Sequence, residues 1–271
     1  LHLCDRRQRQ MCIRDSYGIV YLPFDREPGR KYPIISNVYP GPHVDLVPQA
    51  FTLDDNYNQS LAQLGFVVIN FAYRGSGPWR GRDFHTFGYG NLRDYALADD
   101  MAAIRQIAAR YPCADIERVG IYGHSGGGFM TVAAMLNHPE FYKVGVAASG
   151  NHDNNIYSQW WGETFHGVKQ TWGKDGKPHF ECHIPTNIEL ADRLAGRLLL
   201  ITGDMDNNVH PASTARLADA LIRARKRFDM TVIPGADHGL GNSYYVNLIR
   251  YYFTEHLLGL PQQEIDIVKH N

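Results

Sequence analysis

The stretch Arg118–Phe129 (RVGIYGHSGGGF) decides how this sequence folds. Its first half is an apolar run typical of a buried strand, and its second half leads through glycines into a helix predicted over residues 126–137. Ser125 stands at the turn in a Gly-x-Ser-x-Gly pattern, whose glycines, Gly123 and Gly127, allow the strand and the helix to approach closely. Such a turn exposes the serine hydroxyl at a helix N-terminus, which indicates a nucleophile; a plain glycine-rich turn is the alternative.

Strand-like and helix-like segments alternate along the chain on both sides of this turn. We predict strands at residues 18–23, 32–39, 66–73, 118–122, 144–148, 198–202 and 229–233, and helices at 91–111, 126–137, 211–226 and 243–258. This alternation is typical of a mostly parallel sheet with helices on both faces. Together with the strand–turn–helix at Ser125, it predicts the α/β-hydrolase fold.

One segment interrupts the alternation. Residues 151–188 are rich in Trp, His, Gly and Asn and follow neither the helical nor the strand period. We expect this segment to be an irregular insertion between two sheet strands. Long insertions of this kind usually contribute to binding sites.

A serine hydroxyl is a weak nucleophile that needs a base, and the base needs an orienting carboxylate. In this fold their order along the chain is Ser, then Asp or Glu, then His. The strand at 198–202 is followed by GDMDNNVH, which contains Asp204 and Asp206, and the next strand is followed by PGADHG, which contains His238. The pattern Gly-x-x-Asp-x-x-Val favours Asp206, with Asp204 as the alternative. The sequence therefore predicts a triad of Ser125, Asp206 and His238.

We predict no catalytic role for the other titratable residues near these motifs. Asp237 is expected to shape the loop of the histidine base, and His124 to form the floor of the pocket beside the serine. His179, Cys182 and His183 have a loose, metal-like spacing. We predict no metal site there and no organic cofactor.

The composition excludes several classes of protein. Of the 271 residues, 44% are hydrophobic and 20% charged, which is typical of a folded globular domain. The formal net charge is −1, so nothing indicates a nucleic-acid partner. No apolar run approaches the roughly 18 to 20 residues that span a bilayer, so we predict no membrane segment in this chain.

The first sixteen residues do not fit this pattern. The segment 1–16 is basic and lacks the period of a strand or a helix. We expect it to be a non-native artefact of sequence assembly, with a disordered N-terminal arm as the alternative. The catalytic domain is then predicted over residues 17–271. Because the natural N-terminus is expected to be missing, the compartment stays open, periplasmic or cytoplasmic.

These residues resemble the prolyl oligopeptidase family of serine peptidases, and within it the dipeptidyl peptidase IV branch most. The resemblance covers nearly all of residues 17–260 and keeps five motifs in order. They are Val38-Tyr39-Pro40-Gly41-Pro42, Arg74-Gly75-Ser76-Gly77, the Ser125 turn, Asp206-Asn207-Asn208-Val209-His210 and Asp237-His238-Gly239. The resemblance implies a peptide substrate that is cleaved after proline or another small apolar residue.

The resemblance also implies roles for residues around the triad. The oxyanion hole would be formed by the hydroxyl of Tyr39 and the backbone N–H of Gly126. Tyr157, Trp161 and Val209 would line the pocket for the residue before the scissile bond. Asn208 would offer that substrate a polar contact.

The family places a β-propeller before the hydrolase domain, and this chain has none. A fragment of a longer protein is the favoured explanation, with a single-domain relative as the alternative. The resemblance leaves a homodimer open as the assembly.

The sequence thus predicts a serine peptidase that acts through an acyl-enzyme. An esterase or acyl-aminoacyl hydrolase with the same triad is one alternative. A non-catalytic interaction module of the hydrolase fold is the other.

Overall fold

The structure is a computed structural model that describes residues 16–47, 57–241 and 243–261. The predicted non-native segment therefore lies outside the described residues, apart from Ser16. The predicted domain from residue 17 onward is described except at residues 48–56, 242 and 262–271.

Within the described ranges, seven strands form one sheet, and two more form a separate hairpin. The sheet strands are β1 (Gly18–Tyr21), β2 (Tyr32–Asn37), β3 (Val67–Phe71), β4 (Ala114–His124), β5 (Tyr142–Ala148), β8 (Arg197–Gly203) and β9 (Asp229–Ile233), and the hairpin strands are β6 (Lys169–Trp172) and β7 (Pro178–Glu181). The order across the sheet is β1-β3-β2-β4-β5-β8-β9, and every neighbouring pair is parallel except β1 with β3. The predicted mostly parallel sheet is confirmed.

Helices connect the strands. In chain order they are α1 (Asn58–Gln63), α2 (Arg82–His85), α3 (Leu97–Arg110), α4 (Gly126–Asn137), α5 (Gln159–Phe165), α6 (Ala212–Arg223) and α7 (Ser243–Leu258), with short 3₁₀ turns at Pro78–Arg80, Thr86–Gly88 and Ile188–Arg193.

Two apolar cores lie on opposite faces of the sheet, as the period of two along a strand requires. Ile34 belongs to the core that includes residues of α3, α4 and α6, whereas its neighbour Ile35 belongs to the core that includes residues of α1 and α7. Helices therefore cover both faces. This arrangement confirms the predicted α/β-hydrolase fold.

The structure differs from the predicted elements most clearly in three places. Residues 91–96 form turns before α3, because Asn91, Asp94 and Tyr95 make turn hydrogen bonds rather than a helical ladder. The segment 151–188 is not irregular throughout, since it contains α5 and the antiparallel β6–β7 hairpin. The strand predicted at 118–122 is also longer, because β4 begins at Ala114.

Across the described part of the chain, none of the helices combines the length and the apolar character that a membrane span requires.

Candidate active site

Three loops at one edge of the sheet carry the residues predicted as a triad. Ser125 follows β4, Asp206 follows β8 and His238 follows β9. These three strands lie on the same side of the sheet's order, with only β5 between β4 and β8. Because all are parallel, their carboxyl ends meet at one edge, where open α/β sheets usually bind ligands.

The turn at Ser125 is held in a backbone conformation that few residues adopt. Ser125 has φ 56° and ψ −119°, and its N–H donates to the carbonyl of Ala148 at 2.8 Å. A Cβ at Gly123 or at Gly127 would overlap the carbonyl oxygen of Val38. The two glycines of the motif are therefore required by close backbone packing. Strained turns of this kind are typical of functional sites.

Ser125, His238 and Asp206 form one hydrogen-bonded chain. The Oγ of Ser125 lies 3.0 Å from Nε2 of His238, and Nδ1 of His238 lies 2.8 Å from Oδ2 of Asp206. The Asp206 side chain is fully buried. Its other oxygen, Oδ1, accepts the backbone N–H groups of Asn208 and Val209 at 3.0 and 2.9 Å. A carboxylate with this many donors remains an acceptor, which fixes the proton of His238 on Nδ1.

The alternative acid, Asp204, occupies a different position. Its side chain is exposed, and its Oδ1 accepts the backbone N–H of Gly235 at 2.6 Å. Asp204 therefore joins the acid loop to the histidine loop instead of contacting the imidazole. The neighbouring Asp237 accepts the N–H of Gly239 at 2.9 Å, within its own loop.

The two residues predicted to form the oxyanion hole, Tyr39 and Gly126, line the same cavity as the serine. The ring of Tyr39 is close to Gly126, since a Cβ placed on that glycine would lie 3.9 Å from Cζ of Tyr39. Both residues line a cavity of about 310 Å³ together with Ser125 and His238. Gly126 is the first residue of α4, where backbone N–H groups have no partner within the helix.

The residues predicted to bind substrate line the same cavity: Tyr157, Trp161, Asn208 and Val209. The Tyr157 hydroxyl donates to Oδ1 of Asn208 at 2.8 Å, and its ring packs against Trp161 with centroids 5.9 Å apart. Because the Asn208 oxygen is occupied, its amide nitrogen remains to donate to a ligand. Burial, and then the nearby Tyr39 and Asp206, raise the pKa of Tyr157.

Tyr95 is a member of this site that sequence reasoning missed. It lines the cavity, and its hydroxyl donates to the carbonyl of Pro40, which directly follows Tyr39. A Cβ at Gly75 (φ 92°) would overlap the Tyr95 ring. Gly75 of the Arg74–Gly77 motif was therefore the sequence feature that pointed to a close contact here. The residue that packs against it, Tyr95, could not be inferred from sequence.

The histidines and the cysteine with metal-like spacing do not converge. His179 lies 3.7 Å from Asp175, whereas His183 lies 3.6 Å from Glu189. Cys182 is a free thiol near Glu163, and burial raises its pKa. Among the described residues, no three side chains of His, Cys, Asp or Glu are grouped as metal ligands.

The fold and the site together define the class of this protein. The sheet, the strained serine turn and the Ser–His–Asp chain are those of an α/β-hydrolase. The model of the prolyl oligopeptidase family matches residues 52–260, and this chain belongs to that family. The predicted family is thereby confirmed.

Individual relatives agree with this assignment. The chain is 31% identical over 242 residues to dipeptidyl peptidase 8 of Homo sapiens and 30% identical to that of Mus musculus, in each case over 87% of its own length. It is also similar to the crystal structure of Porphyromonas gingivalis dipeptidyl peptidase 4, with a TM-score of 0.74 and 28% identity over 86% of the chain. These names favour a peptidase over the esterase and the non-catalytic alternatives.

The relatives are considerably longer than this chain. The matched part is 26% of the human protein and 27% of the mouse protein, and it is 32% of the Porphyromonas gingivalis structure. The similarity therefore concerns about a quarter of the curated relatives' length.

Proposed function

We propose that residues 17–271 form the catalytic domain of a serine peptidase that hydrolyses peptide bonds through an acyl-enzyme. The observation that carries this proposal is the hydrogen-bonded chain of Ser125, His238 and Asp206 at the wall of a cavity. Membership of the prolyl oligopeptidase family supports the choice of a peptide substrate.

In the first half of the reaction, His238 acts as the general base. Its Nε2, 3.0 Å from the serine hydroxyl, takes the proton while Oγ of Ser125 attacks the scissile carbonyl. Asp206 stays ionised and stabilises the imidazolium through the bond at Nδ1. Because Asp206 is buried and accepts two backbone N–H groups, it holds the ring in one orientation.

The negative charge that develops on the carbonyl oxygen requires donors. We assign this role to the Tyr39 hydroxyl and the Gly126 N–H, because both residues line the cavity with Ser125. Each donor of an oxyanion hole is worth about 10²- to 10³-fold in rate. The hydrogen bond from Tyr95 to Pro40 holds the Tyr39 loop against this site.

The first half of the reaction ends with the reverse proton transfer, and the second half is the attack of water. His238 gives its proton to the leaving amine, and the acyl group remains on Ser125. A water molecule then attacks the acyl-enzyme and gives a proton to Nε2 of His238. The bond between the acyl carbon and Oγ of Ser125 breaks, His238 returns the proton to Oγ, and the carboxylic acid product leaves.

The lining of the cavity supports a proposal for the substrate. Tyr157, Trp161 and Val209 line the cavity and would form an apolar wall for the residue before the scissile bond. The Asn208 amide would donate to a backbone carbonyl of the bound peptide. A wall of rings and a valine suits proline or a small apolar side chain. We therefore propose that the enzyme removes dipeptides or cleaves short peptides after such residues. A homodimer stays a prediction, which light scattering of the purified chain would test.

Hydrolysis of three chromogenic substrates tests this proposal. We expect turnover of alanyl-proline p-nitroanilide and alanyl-alanine p-nitroanilide, and loss of both activities in Ser125→Ala. Turnover of p-nitrophenyl butyrate alone, with no amide cleaved, would instead favour an esterase.

A further inference from the structure

The backbone carbonyl of His238, the proposed base, is held by two side chains from neighbouring strand ends. His124, the last residue of β4, contacts this oxygen through Nε2. Ser149, which directly follows β5, donates its hydroxyl to the same oxygen at 3.4 Å. Ser149 is fully buried and has φ 46°, a left-handed conformation that is uncommon outside glycine.

The direction of the bond from His124 follows from its acceptor. A carbonyl oxygen carries no hydrogen, so Nε2 of His124 must be the donor. Burial, and then the nearby His238, lower the pKa of His124, although its bond to the carbonyl acts in the opposite sense. At neutral pH His124 is therefore an uncharged ring with its hydrogen on Nε2.

The contacts at this carbonyl act on His238 directly, because the other hydrogen bonds of the histidine loop hold different residues. Gly235 donates to Asp204, and the carbonyl of Ala236 accepts the N–H of Met205. Only the contacts of His124 and Ser149 hold the backbone of His238 itself, among the hydrogen bonds described for this residue. The rings of His124 and His238 also pack with centroids 4.7 Å apart.

We infer that His124 and Ser149 are positioning residues that fix the backbone of the base, so that its Nε2 stays within reach of Ser125. This inference rests on the proposed function. Ser149 is not among the residues that line the cavity, whereas His124 is, so a substitution of His124 has to keep a side chain of similar size there. With the lining kept, a shift of the His238 backbone should affect the rate more than substrate binding. Misplacement by about 1 Å can cost about 10²-fold in rate.

Four variants test this inference through the kcat and KM for p-nitrophenyl butyrate and the rate of fluorophosphonate labelling. His124→Phe keeps a ring but removes the donor, and we expect kcat and the labelling rate to fall about 10- to 100-fold, with KM within about twofold. His124→Gln carries its amide nitrogen as many bonds from Cα as Nε2, so it should recover most of the rate. His124→Asn is one bond too short and should resemble His124→Phe. Ser149→Ala should lose less, because its bond is longer.

The control is His138→Phe, at the C-terminal end of α4, where the imidazole contacts Glu140 rather than the site. We expect it to behave as the unmodified chain. If His124→Phe does not fold, the comparison of Gln with Asn still decides. Equal rates for those two variants would overturn the inference. A lack of labelling in the unmodified chain would instead contradict the proposed function.

Discussion

Among single residues, burial distinguishes the two candidate acids. Asp206 is buried, contacts the imidazole and accepts two backbone N–H groups. Asp204 is exposed and contacts a backbone N–H of the neighbouring loop. Sequence spacing favoured Asp206. Only the surroundings in the structure distinguish a carboxylate that orients the imidazole, Asp206, from one that joins two loops, Asp204.

This difference leads to opposite expectations for two otherwise identical substitutions. Asp206→Asn should lower kcat by about 10³- to 10⁴-fold, because an amide in place of the carboxylate favours the wrong tautomer of His238. Asp204→Asn should change kcat by less than about tenfold, since its amide oxygen still accepts the N–H of Gly235. The measurement is steady-state hydrolysis of a p-nitroanilide by both variants. Equal losses would contradict the assignment of Asp206 as the acid.

Between elements, the buried His152 links the insertion, residues 151–188, to α4, the helix that begins directly after Ser125. His152 is completely buried, and its Nδ1 accepts from Nδ2 of Asn187 at 3.2 Å. The same amide nitrogen donates to the carbonyl of Phe129 in α4 at 2.8 Å. The insertion that carries Tyr157 and Trp161 is therefore fastened to the helix that begins at the nucleophile.

Burial lowers the pKa of His152 to about 3. Between pH 3 and the unfolded value near 6.5, the unfolded chain binds the additional proton, so the free energy of unfolding falls as the pH falls. For His152 alone, we expect a loss of about 2 kcal/mol between pH 7 and pH 5. His152→Gln should reduce the pH-dependent loss by that amount, as measured by urea unfolding at both pH values.

The matched control for this experiment is His179→Gln, whose ring is mostly exposed in the β6–β7 hairpin. It should keep the full loss of stability on acidification. The same loss in His152→Gln as in the unmodified chain would show that this histidine is not the cause.

Helices and strands could be predicted from the sequence where they bury an apolar face against the core. Strands such as Val67–Phe71 are apolar because helices cover both sides of the sheet, so their pattern is visible in the sequence. The β6–β7 hairpin was missed because its strands are almost wholly exposed and show no alternation. Residues 91–96 were assigned to the helix predicted over 91–111, although α3 begins only at Leu97. The side chains of Leu92 and Tyr95 line the cavity instead of continuing the helix.

In the whole molecule, the order of the strands brings the three residues of the predicted triad together. The chain separates Ser125 from His238 by more than a hundred residues, and the parallel sheet returns both loops to one edge. That convergence could be predicted from strand–loop spacing. The roles of Tyr95, Ser149 and His124 around the site could not, because they depend on packing between segments distant in sequence.

The central claim is that the folded chain holds an activated serine at residue 125. We would treat the purified chain with a fluorophosphonate probe and determine the adducts by intact mass and peptide mapping, with Ser125→Ala as the control. We expect one adduct, on Ser125, and none in the variant, while circular dichroism shows both chains to be folded. A folded chain that gains no adduct, or gains it on another residue, would contradict the assignment of Ser125 as the nucleophile.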